Sequence, residues 1–341
     1  GNDVGVALTS LFNSADQLSA DPTNTTLRSL FLSAVDGTAA SLRRTATSID
    51  SAIIGVGVAA NSAVVQLNTD LAALQKVNDG LLRAREGTTN QAGLLDERDR
   101  LLDSIGAGVP ISVSYDNKQA ATVRLGGPSG PFMLSGSGGA ASFGLSIAVD
   151  GRITFSLSTV GGAILPGTGQ LAGLGQAASH AADQRLGLDA LATQVAADLN
   201  AAHGAGLDAN GNPGVPLFAL GGSGAASIAA AALLPADVAA ANATSANGNL
   251  LGFAGLRTSS GVEAGWVALV AAQSQSVSTA RAEDAAASSR REGAFAARAE
   301  ISGVDLDQEA ADLLRFQQAY EGSARVIQVA RDTLQSILDI F

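Results

Sequence analysis

The histidine and acidic side chains are the groups that could carry chemistry in this sequence, which contains no cysteine. His180 and His203 are its only histidines, and neither stands in a His-Glu-x-x-His or comparable metal-binding spacing. Both occur in alanine-rich helical stretches, so we expect partly exposed helix residues and not metal ligands. The absence of cysteine excludes a disulfide framework and a thiolate metal site.

Two acidic stretches could be taken for binding or catalytic sites. Asp208-Ala209-Asn210-Gly211 is similar to the start of a calcium loop, but position 217, six residues after the glycine, is a leucine instead of an acidic residue. An Asx-type turn is therefore expected there. Residues 96–100, Asp-Glu-Arg-Asp-Arg, place three acids and two arginines on one predicted helix. Such a mixture is typical of solvated or interhelical ion pairs and not of a catalytic carboxylate pair.

The 40 glycines form no recognisable nucleotide-binding loop. No Gly-x-Gly-x-x-Gly stands between a predicted strand and a predicted helix, and no Gly-Lys-Ser/Thr occurs. No serine lies in a nucleophile elbow with a histidine and an acid plausibly arranged around it. The sequence therefore predicts a protein that is not an enzyme and that has no catalytic, metal-binding or cofactor-binding residues.

The overall charge argues against two classes of partner. The net charge is −11, and Lys76 and Lys118 are the only lysines. Nucleic-acid binding and docking on anionic lipid both require clustered cations, so neither is expected. The uncharged run 51–69 contains Asn61, Ser62, Gln66 and Asn68, which a bilayer core would penalise, so no membrane insertion is expected.

The C-terminal segment has a 3-4 spacing of apolar residues typical of a coiled-coil seam. Asp305 stands at the N-cap position of this helix, with Gln308 as a capping-box partner. Because the seam continues to the last residue, it could be covered by another helix. On the pattern alone, a terminal helix docked on its own domain is the more ordinary interpretation. The apolar seam residues are Leu313, Phe316, Tyr320, Ile327, Ala330, Leu334, Ile337 and Phe341.

A second seam lies in the N-terminal part of the chain, between Ile49 and Leu81. Nine of its ten positions are apolar, and we expect Ile53, Leu67 and Leu74 to pack against the C-terminal helices. Before it, the Asp21-Pro22 turn separates two helical segments, and Asp21 or Thr23 could cap the second. The seam positions are Ile49, Ile53, Val56, Ala60, Ala63, Leu67, Asp70, Leu74, Val77 and Leu81.

The period changes from helical to two at position 109. Residues 111–125 and 143–157 each alternate around a turn and read as β-hairpins, with a Gly/Ser-rich loop at 126–142 between them. Helical spacing returns from 171 to 199. Residues 204–260 are rich in Gly, Ala and Asn and predict irregular structure with short strands.

These patterns predict an α+β fold that is elongated and multi-domain. Both chain ends, 1–106 and 262–341, would form one discontinuous domain of long antiparallel coiled-coil-like helices. A β-rich insertion at 107–168 would form an outer domain. A helix at 169–203 would link back, and 204–261 would be an irregular or β outer segment.

Three runs in the C-terminal region, 302–310, 316–320 and 325–328, form a recognisable pattern. Together they resemble the C-terminal signature of bacterial flagellar rod, hook and hook-associated proteins. Three further stretches are similar to the hook-associated proteins of the hook–filament junction and follow the same order: 11–22, 94–102, and 169–174 with 188–211. The N-terminal helix and Asn-Ile-Ala-Asn-like segment of such proteins are missing, so the chain resembles a fragment or processed form.

The resemblance implies a structural subunit that joins hook to filament and lies outside the cell in the flagellum. It implies type III export, an export chaperone on the C-terminal helix, and contacts with hook protein, other hook-associated proteins and neighbouring copies. The alternatives are a flagellin-like filament subunit or surface adhesin, and a carrier of a glycan-hydrolase outer domain. A hydrolase would need two carboxylates at a fixed separation.

Overall fold

The computed structural model describes residues 3–136, 138–259, 261–302 and 306–338. The chain divides into two compact units, residues 1–273 and residues 274–341. Helices predominate, and small antiparallel sheets occupy the middle of the chain. The predicted α+β class is therefore confirmed.

Two helices open the first unit. Helix α1 spans Val4–Ala20, and its N-cap is Asp3, whose carboxylate accepts the Gly5 N–H. Helix α2 spans Thr25–Arg83, and its N-cap is Asn24, whose side-chain oxygen accepts the N–H groups of Thr26 and Leu27. The prediction that Asp21 or Thr23 caps this helix is therefore wrong. Asp21 instead accepts hydrogen bonds from both Thr23 and Asn24, and so fixes the residue that caps the helix.

Helix α2 is one continuous element of 59 residues and serves two successive hydrophobic cores. In core 1, residues 31–46 of α2 pack with α1 and with segments from the second half of the unit. In core 2, residues 60–81 pack with the segment that follows α2 and with the sheets. The seam predicted from 49 to 81 does face inward, and it is fully buried at most positions from Ala60 onward.

Helix α3 spans Thr89–Gly108, and two three-stranded antiparallel sheets follow it. The first contains β1 (Ile111–Tyr115), β2 (Ala121–Leu125) and β3 (Phe132–Leu134), and the second contains β4 (Phe143–Ile147), β5 (Ile153–Leu157) and β6 (Ala163–Ile164). Both predicted hairpins form, with Val113 opposite Val123 and Leu145 opposite Phe155. The region 126–142 is not only loop, because it contains β3. Three residues are too few to show an alternating pattern.

Helix α4 spans Gln170–Gly204 and is followed by a segment with few regular elements. Strands β7 (Phe218–Ala219) and β8 (Ala229–Ala230) pair, and short 3-10 turns occupy Gly224–Ser227 and Pro235–Asp237. Helix α5, Gly248–Ser259, was not predicted, because its three glycines weaken the helical pattern. Helix α6 follows at Val262–Ser302, and its first residues join core 1.

Leu67 and Leu74 are buried as predicted, but among different neighbours, whereas Ile53 is only half-buried. Core 2 surrounds them with α3, strands of both sheets and the start of α4, and none of the α6 residues in the first unit belongs to it. The apolar spacing showed which face of α2 is covered, but many elements satisfy such a face equally well.

Part of α2 is apolar enough to cross a membrane by length and composition, with a mean hydropathy of 1.5. Core helices of soluble proteins have the same length and composition, so these properties alone do not identify a membrane span. Asn68 and Asn78 of α2 hydrogen-bond to the backbone of neighbouring strands, so this part of the helix is covered by protein.

The second unit contains the rest of α6 and helix α7, Leu306–Leu338. Nearly all of its described side chains are exposed.

Candidate assembly surfaces

The predicted C-terminal seam forms an exposed apolar row on α7. The exposed fractions are 61% for Leu313, 76% for Phe316, 80% for Tyr320 and 61% for Ile327. At about 100° per residue these four side chains lie within about 60° of one another around the helix axis. Monomeric proteins rarely leave contiguous apolar surface in water unless it serves an interaction. The row is therefore a candidate docking surface for another helix.

Several predicted residues of this seam cannot be compared with the structure. Asp305 and Phe341 lie outside the described residues. The side chains of Gln308, Ala330, Leu334 and Ile337 also lie outside what the structure describes. The predicted cap and the far end of the seam therefore stay predictions.

Helix α7 also has apolar side chains that the seam pattern did not include. Leu314 and Val326 are exposed, and each lies about 100° or more around the helix from the middle of the seam. They lie outside the 3-4 spacing of the seam, so that pattern did not predict them. A helix that is apolar on more than one side is typical of bundle interiors. The helix therefore offers contacts for more than one neighbour.

A cleft of about 1150 Å³ opens in the first unit between α2, α4 and the β4–β5 turn. Ile54, Val58 and Leu186 present apolar surface there. Arg185 of α4 lies at its edge, with Nε 2.8 Å from the Asp50 carboxylate of α2, and it also pairs with Asp189. Although partial burial acts to lower it, the pKa of Arg185 is raised by these two carboxylates.

A second arginine fixes the β4–β5 turn at the same cleft. Arg152 pairs with Asp150 in the turn and with Asp183 on α4. The pKa of Asp150 is lowered because its carboxylate accepts hydrogen bonds from Arg152, first from the backbone N–H and also from the guanidinium. Arg152 and Arg185 thus hold the lining carboxylates Asp50, Asp150 and Asp189 in structural ion pairs.

The acidic stretches considered as chemical sites have structural roles. Asp208 Oδ1 accepts the backbone N–H groups of Asn210 and Asn212, both at 2.8 Å, which confirms the Asx-type turn and lowers the pKa of Asp208. Within the described ranges no group of three or more His, Cys, Asp or Glu side chains could hold a metal ion.

The 96–100 run forms the expected ion pairs, Glu97 with Arg100 and Arg98 with Asp99 at 2.7 Å, and Arg98 has a further role. Glu97 and Arg100 form an exposed pair at 2.5 Å. Arg98 is buried, stacks over the Tyr115 ring at 4.3 Å and donates from Nη1 to the Gln119 carbonyl at 2.8 Å. It therefore joins α3 to the β1–β2 hairpin, a role that its charged neighbours in the sequence concealed.

The two histidines differ in their surroundings. His180 is exposed on α4, whereas His203, near the end of the same helix, is 1% exposed. The expectation of a partly exposed ring is therefore wrong for His203. Its two ring nitrogens contact backbone groups of the segment that follows α4.

Three asparagines hold short strands or strand ends to the helices. Asn68 and Asn78 of α2 each exchange two hydrogen bonds with one strand residue, Phe143 and Ala121 respectively. Asn200 of α4 accepts from Leu217 and Phe218 and donates to the Phe218 carbonyl. Sequence reasoning missed these contacts, because an isolated asparagine in a helix gives no sign of its partner.

Two family models match the chain. Residues 1–218 match the flagellar hook-associated protein FlgK helical domain, and residues 297–340 match the flagellar basal body rod FlgEFG protein C-terminal region. No curated protein sequence matches the chain significantly.

A solved structure of similar fold is the flagellar hook junction protein FlgK from Burkholderia pseudomallei. It shares 22% sequence identity with a TM-score of 0.54, over 64% of this chain and 41% of that chain. At this identity the likeness concerns the fold alone. The chain spans about two fifths of the length of that relative.

Proposed function

The chain belongs to the family of the flagellar hook-associated protein FlgK helical domain, and we propose that it is a structural adaptor joining hook to filament in a bacterial flagellum. The observation that carries this proposal is the exposed apolar row of α7, Leu313, Phe316, Tyr320 and Ile327. The row lies inside the part of the chain that matches the rod-protein C-terminal model. Such a seam binds another helix through apolar packing and needs no catalytic or ligand site.

The partners follow from the same surface. Hook protein, other hook-associated proteins and neighbouring copies of this chain would supply helices that cover the α7 row. Before assembly an export chaperone would cover it, since an exposed apolar helix is an aggregation hazard. The complete seam would extend through Ala330, Leu334 and Ile337 to Phe341, with the helix capped by Asp305 and Gln308.

The domain division and the location are part of this proposal. Residues 1–106 and 262–341 would form the helical axial domain. Residues 107–168 and 204–261 would form outer parts, with the helix 169–203 linking them. The protein would leave the cell through the flagellar type III system and remain extracellular at the hook–filament junction.

The two alternative functions have less support. A filament subunit or adhesin would not be expected to match a hook-associated family over residues 1–218. A glycan hydrolase needs two free carboxylates, whereas Asp116 accepts backbone N–H groups in its own turn and Asp150 is paired with Arg152.

The experiment compares Phe316→Asp with Gln318→Asp in the full-length protein, in a strain that lacks the corresponding gene product. Both positions are exposed, but Gln318 lies on the side of α7 opposite the seam. We expect Phe316→Asp to abolish filament attachment and to release filament protein into the medium, because a charge cannot be buried unpaired in a helix seam. Gln318→Asp should retain filaments.

Thermal unfolding and secretion of both variants serve as controls, since neither exposed change should destabilise the fold. Equal filament attachment in the two variants would contradict the adaptor role of the seam. Loss of secretion in Phe316→Asp alone would instead assign the row to export.

A further inference from the structure

The peptide bond between Val238 and Ala239 is held at both ends by buried side chains. Arg28 of α2 donates from Nη1 to the Val238 carbonyl at 3.0 Å. On the other side, the Ala239 N–H donates to Nε2 of His203 at 2.9 Å. Arg28 also donates to the Pro22 and Pro235 carbonyls, so it binds the turn before this peptide as well.

The contacts of His203 fix its protonation state. Because Nε2 accepts from Ala239, it carries no proton, and the imidazole proton must be on Nδ1. Nδ1 lies 2.6 Å from the Val215 carbonyl, to which it therefore donates. One neutral ring thus connects α4 to two separate points of the following segment, Val215 and Ala239.

A second proton on this ring has no acceptor. At Nε2 it would face the Ala239 N–H directly, and one hydrogen bond would become a repulsion between two donors. Burial opposes the charge as well, and it lowers the pKa of His203 although the Val215 carbonyl acts in the opposite direction.

Among the described residues, the hydrogen bonds of the His203 ring go to backbone groups and none to a carboxylate. Charged residues on the elements next to it include Arg28 on α2, Asp198 on α4, Asp208 in the loop after α4 and Asp237 in the 3-10 turn. Arg28 adds a fixed positive charge at the far end of the same peptide. Asp208 accepts backbone N–H groups of its own turn, and Asp237 accepts the Leu234 N–H. On α5, Asn249 donates to the Ala239 carbonyl and is uncharged, while Arg257 at the end of that helix is paired with Glu263.

We propose that His203 is a pH-sensitive latch that holds residues 213–241 against α4 while its ring is neutral and releases them when the ring is protonated. The latch is independent of the proposed assembly role of α7. Close packing supports a tight closed state: a Cβ on Gly214 would lie 2.1 Å from the His203 carbonyl oxygen, so only glycine fits there. Release would expose Leu217, Phe218 and Val238, which belong to core 1.

Linkage gives the direction of the pH dependence. The open state binds the second proton with an ordinary imidazole pKa of about 6.5, and the closed state binds it less readily. Above pH 6.5 both states are neutral, and the latch contributes fully. Below it, the opening constant rises by up to about tenfold per pH unit, until the pH reaches the lowered pKa of the closed state.

The test measures hydrogen exchange of residues 213–241 in the full-length protein between pH 8 and pH 5, corrected for the intrinsic pH dependence of exchange. We expect the opening constant at Ala239 to rise by up to about tenfold per pH unit below 6.5. In His203→Gln, the carboxamide can still accept from Ala239 and donate to Val215 but cannot take up a proton, so the pH dependence should disappear. His180→Gln, at an exposed position of the same helix, should behave like the unchanged protein.

A spectroscopic measurement keeps the latch testable if His203→Gln does not fold. In ¹⁵N-labelled His180→Gln protein the remaining histidine signal is that of His203, which should show the Nδ1–H tautomer at neutral pH. Its protonation should coincide with a change in the Ala239 amide signal. A ring that titrates while the Ala239 amide is unaffected, or an unchanged pH dependence of opening in His203→Gln, would overturn the proposal.

Discussion

The side-chain amide of Asn78 binds the backbone of Ala121 at both ends. Nδ2 donates to the Ala121 carbonyl at 2.7 Å, and Oδ1 accepts the Ala121 N–H at 2.8 Å. Asn68, ten residues earlier on α2, makes the same pair of bonds with Phe143, at 2.9 Å and 2.7 Å. A single helix therefore fixes the first strand pair and the second strand pair through backbone groups, independently of which side chains the strands present.

Replacement of Asn78 by leucine should destabilise the protein by about 2–4 kcal/mol, because the N–H and carbonyl groups of Ala121 would be buried without partners. Asn61→Leu, at an exposed position of the same helix, is the matched control and should change stability by less than about 0.5 kcal/mol. Urea unfolding of the full chain measures both. Equal effects of the two variants would show that the Ala121 contact contributes nothing specific.

Leu67→Ala should cost about 2–5 kcal/mol, because Leu67 is buried in core 2 and its removal leaves a cavity between α2, α3 and the sheets. Val65→Ala, two residues away on the exposed side of α2, should lie within about 0.5 kcal/mol of the unchanged protein. Denaturant midpoints give the comparison. A Leu67→Ala effect as small as that of Val65→Ala would mean that this face of α2 is not packed in solution.

Gly151→Ala should destabilise the β4–β5 hairpin by about 1–3 kcal/mol from its backbone alone, since Gly151 has a φ of 88°. Its new Cβ would also lie 2.3 Å from Cγ2 of Ile53 on α2. Ile53→Ala removes that clash but not the backbone strain. The double variant should therefore lose less stability than the sum of the losses in the two single variants. Thermal unfolding of the four proteins provides the cycle, and simple additivity would contradict the contact.

Residues 310–329 of α7 should exchange their amide hydrogens quickly in a dilute monomer, because packing supplies most of a helix's stability in water and these side chains are exposed. Protection should appear when the protein associates with itself or with a chaperone. Exchange followed by mass spectrometry at two protein concentrations measures this. Strong protection in a verified monomer would show that the chain's own residues cover the helix, which was the more ordinary interpretation of the seam.

Those features whose cause is local could be predicted from the sequence. The inward face of α2, the two hairpins and the Asx turn at Asp208 depend on residues a few positions apart, so periodicity and turn chemistry indicate them. The match over residues 1–218 likewise agrees with the family resemblance of several short stretches. Even locally, β3 and α5 were missed, because three residues and a glycine-rich segment give weak patterns.

The partners of each face were decided only by the tertiary structure. The spacing of Leu67 and Leu74 showed that they are covered but not that α3 and the sheets cover them. The sequence does not show whether Asn78 or His203 lies in solvent or in the interior. In the structure Asn78 binds Ala121, 43 residues away, and His203 binds Ala239, 36 residues away. A hydrophobic face or a side-chain amide binds equally well to any partner of the same chemistry. Which partner it meets depends on how distant parts of the chain come together in the fold.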